Sequence, residues 1–129
     1  MGSKSRIANQ IIPIIQNEIN NHKILTYIEP FCGGCNIIDK IQCEKKIASD
    51  KHKYLIEMFK NLKLIETLPN CITKEYYSVV RKYFNTNSKQ FPDWYVGAIG
   101  FLASYNGRFF DGGVFWNSTY KIRNDKKLL

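Results

Sequence analysis

The feature that most constrains the fold is the stretch of residues 24–36, where a short apolar run is followed by Pro30 and then by two adjacent glycines. The apolar run predicts a buried strand, and the proline ends it because proline has no N–H to donate to a sheet. Beyond the glycines a helix is predicted over about residues 36–42, since apolar residues recur there at the spacing of one helix face (Ile37, Ile38 and Ile41). A strand, a glycine turn and a helix N-terminus place backbone N–H groups where they can bind a ligand.

A second strand is predicted at residues 46–49, and Asp50 follows it directly. An acid at the end of a second strand, roughly 20 residues after a glycine turn, is the arrangement that holds a nucleoside ribose. The alternative is that Asp50 caps the next helix, a common role for an aspartate at a strand end. That helix is predicted over residues 51–64, with an apolar face formed by Tyr54, Leu55, Met58, Phe59 and Leu62.

The N-terminal residues 3–21 predict a helix with Ser3 as its N-cap. Pro13 is expected to kink or split this helix, whose apolar face consists of Ile7, Ile11, Ile14, Ile15 and Ile19. Lys4 and Arg6 lie at its start, where the helix dipole disfavours cations. Either these cations pair with an anionic ligand, or they belong to an ordinary solvated surface.

Aromatic residues become frequent after residue 70. Helices are predicted over residues 74–84 and 94–105 around a polar loop at 85–93, with inward residues Tyr76, Tyr77, Val80, Tyr83, Phe84, Trp94, Ala98, Phe101, Leu102 and Tyr105. Residues 105–116 then combine glycines, aromatic side chains and Arg108 in an irregular loop. Such a loop is suited to stacking on bases and pairing with phosphates, although its aromatic residues could equally cover the core.

The net charge of +8 is unevenly distributed. Residues 1–50 contain six Lys and Arg against five acids, whereas residues 51–129 contain thirteen against six. A basic second half indicates either a polyanionic partner such as nucleic acid or a solvated surface. No apolar run approaches the roughly 20 residues that span a bilayer, and no signal-peptide core follows the basic start, so we expect an intracellular protein without a membrane partner.

Cys32 and Cys35 form a C-x-x-C pair inside the glycine turn. Such a pair can be redox-active or supply half of a zinc site. A zinc site needs further ligands, and the sequence has no second C-x-x-C pair, while His22 and His52 are isolated. The remaining interpretation is that these are small buried thiols in a reducing compartment.

Four stretches of the sequence resemble the Dam-type family of DNA N6-adenine methyltransferases, the D12 class. Residues 2–6 resemble the family's N-terminal G-x-K motif, with Lys4 as the lysine, and residues 29–34 resemble its E-P-F-x-G-x-G motif. Asp50 matches the acid that binds the cofactor ribose. Residues 104–113 resemble the Asn-Gly segment that follows the family's helical insertion.

This resemblance implies S-adenosylmethionine as the cofactor and double-stranded DNA as the substrate, with no metal. The cofactor-binding residues that it implies are Lys4, Glu29, Pro30, Phe31, Gly33, Gly34 and Asp50. Lys4 would pair with the methionine carboxylate, Phe31 would line the pocket, and Asp50 would accept both ribose hydroxyls. The implied DNA-binding residues are Tyr105, Asn106, Gly107 and Arg108, with Arg108 and the lysines of the second half on phosphates.

The sequence departs from the family pattern in two places. Cys35 stands where the cofactor motif has its last glycine, which is tolerable if its φ is negative. The Asp-Pro-Pro-Tyr motif, which in the family hydrogen-bonds the adenine N6 amine and stacks on the flipped base, does not occur in these 129 residues. We therefore identify no catalytic residue, and we expect weak or no methyl transfer from residues 1–129 alone.

The sequence as a whole predicts an α/β protein, a partial Rossmann-like S-adenosylmethionine-dependent methyltransferase domain with a helical insertion. Residues 1–70 would form its cofactor-binding part, and residues 71–129 the insertion and DNA-recognition loop. The predicted function is site-specific adenine-N6 methylation of DNA, as in restriction-modification, by a fragment in the cytoplasm of a bacterial or phage-infected cell. The alternatives are an inactive remnant that binds S-adenosylmethionine or DNA, and one part of a split enzyme whose separate chain carries the missing strand.

Overall fold

The computed structural model describes residues 4–69, 72–114 and 119–120, the last pair by their backbone alone. The described residues divide into two compact units, Met1–Lys51 and His52–Leu129. The division of the domain at residue 70 stays a prediction, because compactness within one chain does not show where an insertion begins. The predicted N-cap Ser3 and the end of the predicted loop, residues 115–116, lie outside the described residues. Among the described helices, none combines the length and the apolar character that crossing a bilayer requires.

The first unit begins with helix α1, Ser5–Asn21, for which Lys4 occupies the N-cap position. The helix continues through Pro13, so the predicted split does not occur. Its buried stripe runs through Ala8 and Ile19, with Ile11, Ile12 and Ile15 half-buried between them. The predicted apolar face is wrong at Ile7 and Ile14, which are 45% and 66% exposed, because both lie beyond the edge of this stripe.

Strands β1, Thr26–Glu29, and β2, Lys45–Ala48, form a parallel pair in which Ile28 lies opposite Ile47. This confirms both predicted strands to within a residue or two, and it gives the first unit a small parallel sheet. The predicted burial of the first strand is wrong, since Leu25 and Ile28 are 64% and 58% exposed. Tyr27 packs against the α1 cluster, whereas Ile28 faces the other side of the sheet, which no described element of this unit covers.

The helix predicted over residues 36–42 is also wrong, because residues 36–40 form turns. Ile38 donates its N–H to Glu29 Oε2 at 3.0 Å instead of to a carbonyl one helical turn earlier, so the helical ladder cannot extend. Cys35 has a φ of +58°, which places the start of the segment outside the helical region. The three isoleucines are nevertheless buried, Ile41 completely.

The second unit consists mainly of helices α2 (Lys53–Lys60), α3 (Leu62–Ile65), α4 (Lys74–Asn85) and α5 (Asp93–Leu102). The helix predicted over 51–64 is broken at Asn61, whose side-chain amide donates to the Glu57 carbonyl at 2.8 Å. The N-cap position of α2 is occupied by His52 and not by Asp50, which was the alternative role for that acid. Leu62, expected inside, is 38% exposed.

The core of the second unit is built around α5, in which every residue from Val96 to Leu102 is buried. At Gly97 a side chain would meet the Tyr54 carbonyl oxygen of α2 at 2.2 Å, so glycine allows the two helices to approach closely. The predicted extension of this helix to Tyr105 is wrong, since α5 ends at Leu102 and Tyr105 starts a separate 3₁₀ turn. Two short strands, β3 (Ile72–Thr73) and β4 (Thr119–Tyr120), pair antiparallel in the same unit.

Candidate functional site

The carboxyl ends of β1 and β2 meet at one edge of the parallel sheet, and the candidate site lies there. Ser49 extends the pairing past β2, since its N–H donates to the Glu29 carbonyl and its own carbonyl accepts from Cys32 N, each at 3.0 Å. The turn that follows β1 is thereby held beside Asp50. Gly33 donates its N–H to Asp50 Oδ2 at 3.0 Å, a contact that spans seventeen residues of sequence. The glycine turn and the acid are therefore neighbours, as their order in the sequence predicts.

Gly33 has a φ of +50°, a conformation that glycine adopts without strain. A Cβ added at this position would meet no atom within 4 Å, so the space in front of the turn is open. Gly34, Pro30 and Phe31 are exposed beside it, and Phe31 is the most exposed large apolar side chain of the group at 75%. An exposed aromatic ring next to an open glycine backbone provides a surface on which a planar ligand can rest.

Glu29 is the most buried charged residue of this region, with 5% of its surface exposed. Its Oε1 accepts from Lys4 Nζ at 2.6 Å, and its Oε2 accepts from the N–H of Ile38 at 3.0 Å. One carboxylate thus ties the start of α1 to the far end of the glycine turn. A buried carboxylate is stable only when it is paired and hydrogen-bonded in this way.

Lys4 also donates to the carbonyl oxygen of Phe31 at 2.5 Å. An ammonium group has three N–H donors, and the contacts with described residues occupy two of them, which leaves one for a further acceptor. The Lys4 side chain is 38% exposed, which makes that donor accessible from solvent. The structure therefore brings the predicted residues Lys4, Glu29, Phe31, Gly33 and Asp50 into one connected group.

Lys46 belongs to this group although sequence reasoning missed it. Its Nζ donates to the carbonyl of Ile38 at 3.0 Å, which closes the far side of the turn. A lysine in a short strand is ordinarily read as solvent-exposed, so no sequence signal distinguishes it from its neighbour Lys45.

The two thiols of the turn are in contact but are poor nucleophiles. Burial, and after it the neighbouring Cys32 thiol, raise the pKa of Cys35 to about 12, and burial likewise raises the pKa of Cys32. Redox-active cysteines need the opposite shift, because the thiolate is the reactive form. Among the described residues no group of three or more His, Cys, Asp or Glu could hold a metal ion. The geometry favours the interpretation of these thiols as structural.

The second candidate region is the loop of residues 105–108, which belongs to the second unit. Asn106 and Gly107 have φ values of +51° and +65°, and Tyr105 and Arg108 are exposed at either side of them. The next two residues anchor the loop, since Phe110 is 4% exposed and Phe109 packs against the core. These two rings cover the core and are unavailable for stacking on bases, whereas Phe115 and Trp116 lie outside the described residues.

Ser104 fixes the base of this loop from inside the unit. Its Oγ lies 2.7 Å from the Tyr77 hydroxyl in a buried hydrogen bond, and it accepts the N–H of Phe110 at 2.9 Å. The loop therefore presents polar groups on a rigid base rather than on a free strand.

Comparison with known proteins gives one family and two curated relatives. Residues 1–105 match the family model described as D12 class N6 adenine-specific DNA methyltransferase. The modification methylase StsI of Streptococcus sanguinis is 28% identical over 135 residues, which cover 93% of this chain and 19% of that protein. The type II methyltransferase M.FokI of Planomicrobium okeanokoites is 30% identical over 63 residues, or 49% of this chain and 9% of that protein. No solved structure matches the chain significantly.

The chain thus spans less than a fifth of the length of either relative. The match to the family model, by contrast, includes both the turn after β1 and Asp50.

Proposed function

The chain belongs to the D12 class of N6 adenine-specific DNA methyltransferases, as its four motifs predicted, and from this premise we propose that its first unit binds S-adenosylmethionine. The observation that carries the proposal is the hydrogen bond from Gly33 N to Asp50 Oδ2, which lies at the carboxyl ends of two parallel strands. In α/β folds, nucleoside ligands bind at this edge. The residues proposed to form the cofactor site are those of the motifs, either in contact with the cofactor or holding a residue that is, namely Lys4, Glu29, Pro30, Phe31, Gly33, Gly34 and Asp50.

The residues present fit such a cofactor. The carboxylate of Asp50 lies beside the backbone N–H of Gly33, so a ribose can meet an acceptor and a close backbone at the same place. The remaining donor of Lys4 can pair with the carboxylate of the methionine moiety. The exposed Phe31 ring provides an apolar wall. When bound, the cofactor supplies an electrophilic methyl group on a sulfonium.

We propose that the protein to which these residues belong methylates adenine N6 in double-stranded DNA. The cofactor would supply the methyl group for that reaction, and the residues at the end of β1 and β2 would hold it. The Asp-Pro-Pro-Tyr motif that handles the amine in the family is absent from these 129 residues. Residues 1–129 are therefore proposed to hold the cofactor without transferring its methyl group, and an inactive binding protein or a split enzyme remains the second candidate.

The loop of residues 105–108 is proposed to contact DNA. It lies in the half of the sequence with the excess of basic residues, and Arg108 is exposed beside a rigid turn. Arginine contacts to phosphate position a protein on a duplex without reading its sequence.

The cofactor proposal is tested by calorimetric titration of S-adenosylmethionine into the wild-type chain, Asp50→Ala and the control Asp39→Ala. Asp39 is an exposed acid of the same unit, so its removal changes the net charge equally. We expect binding by the wild type and by Asp39→Ala, and a loss of about tenfold or more for Asp50→Ala because charge-assisted hydrogen bonds are lost. If the wild type does not bind S-adenosylmethionine, the cofactor proposal is wrong. If Asp50→Ala binds it as tightly as the wild type does, Asp50 does not bind the ribose.

A further inference from the structure

We infer that Glu29 is a positioning residue, which aims Lys4 at the carboxylate of the ligand and does not itself contact that ligand. The inference rests on the proposed cofactor site and says how that site selects a nucleoside that carries an amino-acid carboxylate. Its basis is that both oxygens of Glu29 already have protein partners, Lys4 Nζ at 2.6 Å and Ile38 N at 3.0 Å.

Burial makes these two contacts obligatory. Glu29 is 5% exposed, so water cannot replace a partner that is removed. The Ile38 residue is buried as well, at 7%, and its N–H would be left without an acceptor if Glu29 moved towards a ligand. The Glu29 carboxylate therefore stays bonded to Lys4 and Ile38, because turning it towards a bound molecule would cost the free energy of both contacts.

The position of Lys4 depends on this carboxylate. A lysine side chain has four rotatable carbons and loses much rotamer freedom when it is held in one place. Glu29 Oε1 and the Phe31 carbonyl hold its ammonium at the entrance of the turn, with its third donor left for a further acceptor. Without the carboxylate, a lysine that is 38% exposed would move into solvent.

Glu29→Gln separates the two contacts because an amide has one acceptor oxygen where a carboxylate has two. The amide can satisfy either Ile38 or Lys4, and it presents an N–H group to the other. The N–H of Ile38 lies in a residue that is 7% exposed and is poorly accessible to water, whereas the Lys4 ammonium, on a side chain that is 38% exposed, can be solvated. The glutamine oxygen should therefore remain on Ile38 and release Lys4, so that the turn keeps its shape.

The experiment compares two nucleoside thioethers in calorimetric titrations of the full chain. S-adenosylhomocysteine carries the amino-acid carboxylate, and 5′-methylthioadenosine lacks it. We expect Glu29→Gln to lower the affinity for S-adenosylhomocysteine about tenfold, which is the usual effect of losing one charge-assisted contact. The affinity for methylthioadenosine should stay within about twofold of the wild-type value. Lys4→Met should give the same pattern, and the double variant should be no weaker than either single variant. The control Glu44→Gln, at an exposed acid of the same unit, should bind both ligands like the wild type.

Equal weakening of both ligands by Glu29→Gln would overturn the inference, since it would mean that Glu29 acts only on the shape of the turn. Additive losses in the double variant would overturn it too. If Glu29→Gln does not fold, Lys4→Met decides the matter in the same way, because equal weakening of both ligands by that variant contradicts a role at the carboxylate. A wild-type chain that binds neither ligand would overturn the proposed function together with this inference, whereas the other adverse outcomes leave the proposed function standing.

Discussion

At the scale of single residues, Gly33, Cys35 and Asp50 determine the local geometry of the candidate site. Asp50 and Gly33 are adjacent as predicted, because a parallel strand pair brings its carboxyl ends together. Cys35 shows what could not be predicted. A side chain is tolerable at this position if φ is negative, and the structure has a φ of +58°. The family's glycine at this position is explained by that angle, which a residue with a Cβ adopts only at a cost of about 1 kcal/mol or more.

Cys35→Gly therefore should preserve the site. Glycine adopts this φ freely, and the poorly ionised thiol, with a pKa of about 12, has no chemistry to lose. We expect the free energy of unfolding in urea to stay within about 1 kcal/mol of the wild type, and S-adenosylmethionine affinity to stay within about threefold. The matched control Cys35→Val should be strongly destabilised, because a β-branched residue does not tolerate a positive φ. Loss of ligand binding by Cys35→Gly would instead make the thiol pair part of the function.

At the scale of elements, apolar periodicity predicts burial better than it predicts secondary structure. Ile37, Ile38 and Ile41 are buried as their spacing indicates, yet they do not form a helix, because the N–H of Ile38 donates to Glu29 instead of to a helical carbonyl. Glu29 lies nine residues before Ile38, so the hydrogen bond that prevents the helix is not visible in the apolar spacing of residues 36–42. Asn61 breaks the helix predicted over 51–64 by a related contact, since its amide bonds the carbonyl of Glu57.

The loop of residues 105–108 is an element whose form is set by its anchors rather than by its exposed residues. Tyr77, Ser104 and Phe110 hold it from the core side through buried hydrogen bonds. The aromatic residues of this region were compatible with either base stacking or core packing, and the structure places Phe109 and Phe110 in the core. Composition cannot separate the two roles, because both favour the same residue types.

Arg108→Ala should weaken binding of duplex DNA through the loss of one phosphate contact. We expect the slope of log affinity against log salt concentration to decrease by about 0.9, with a similar effect on different DNA sequences. The measurement is fluorescence anisotropy of a labelled duplex over a salt series. Lys40→Ala, an exposed lysine of the first unit, is the control with the same change in charge. An unchanged slope for Arg108→Ala would exclude Arg108 from the DNA contact.

At the scale of the whole molecule, the order of the motifs was enough to predict the family, and the family match over residues 1–105 confirms it. The structure shows a mixed arrangement of helices and strands with a small parallel sheet, and the described part of that sheet has two strands. The Rossmann-like fold stays a prediction, because a two-stranded pair is compatible with many α/β architectures. The exposed face of Ile28 could not be foreseen either, since an apolar run predicts a buried strand wherever it occurs.

The most direct test of the cofactor site is a nuclear magnetic resonance titration of the isotope-labelled chain with S-adenosylhomocysteine, which maps the ligand onto individual amides. We expect the largest shifts at Cys32, Gly33, Gly34 and Asp50, because these backbone groups form the turn and the acid at the carboxyl edge of the sheet. The amides of α4 and α5 should remain unchanged. Shifts that spare the turn and Asp50, or that fall only on the second unit, would contradict a cofactor site at the end of β1.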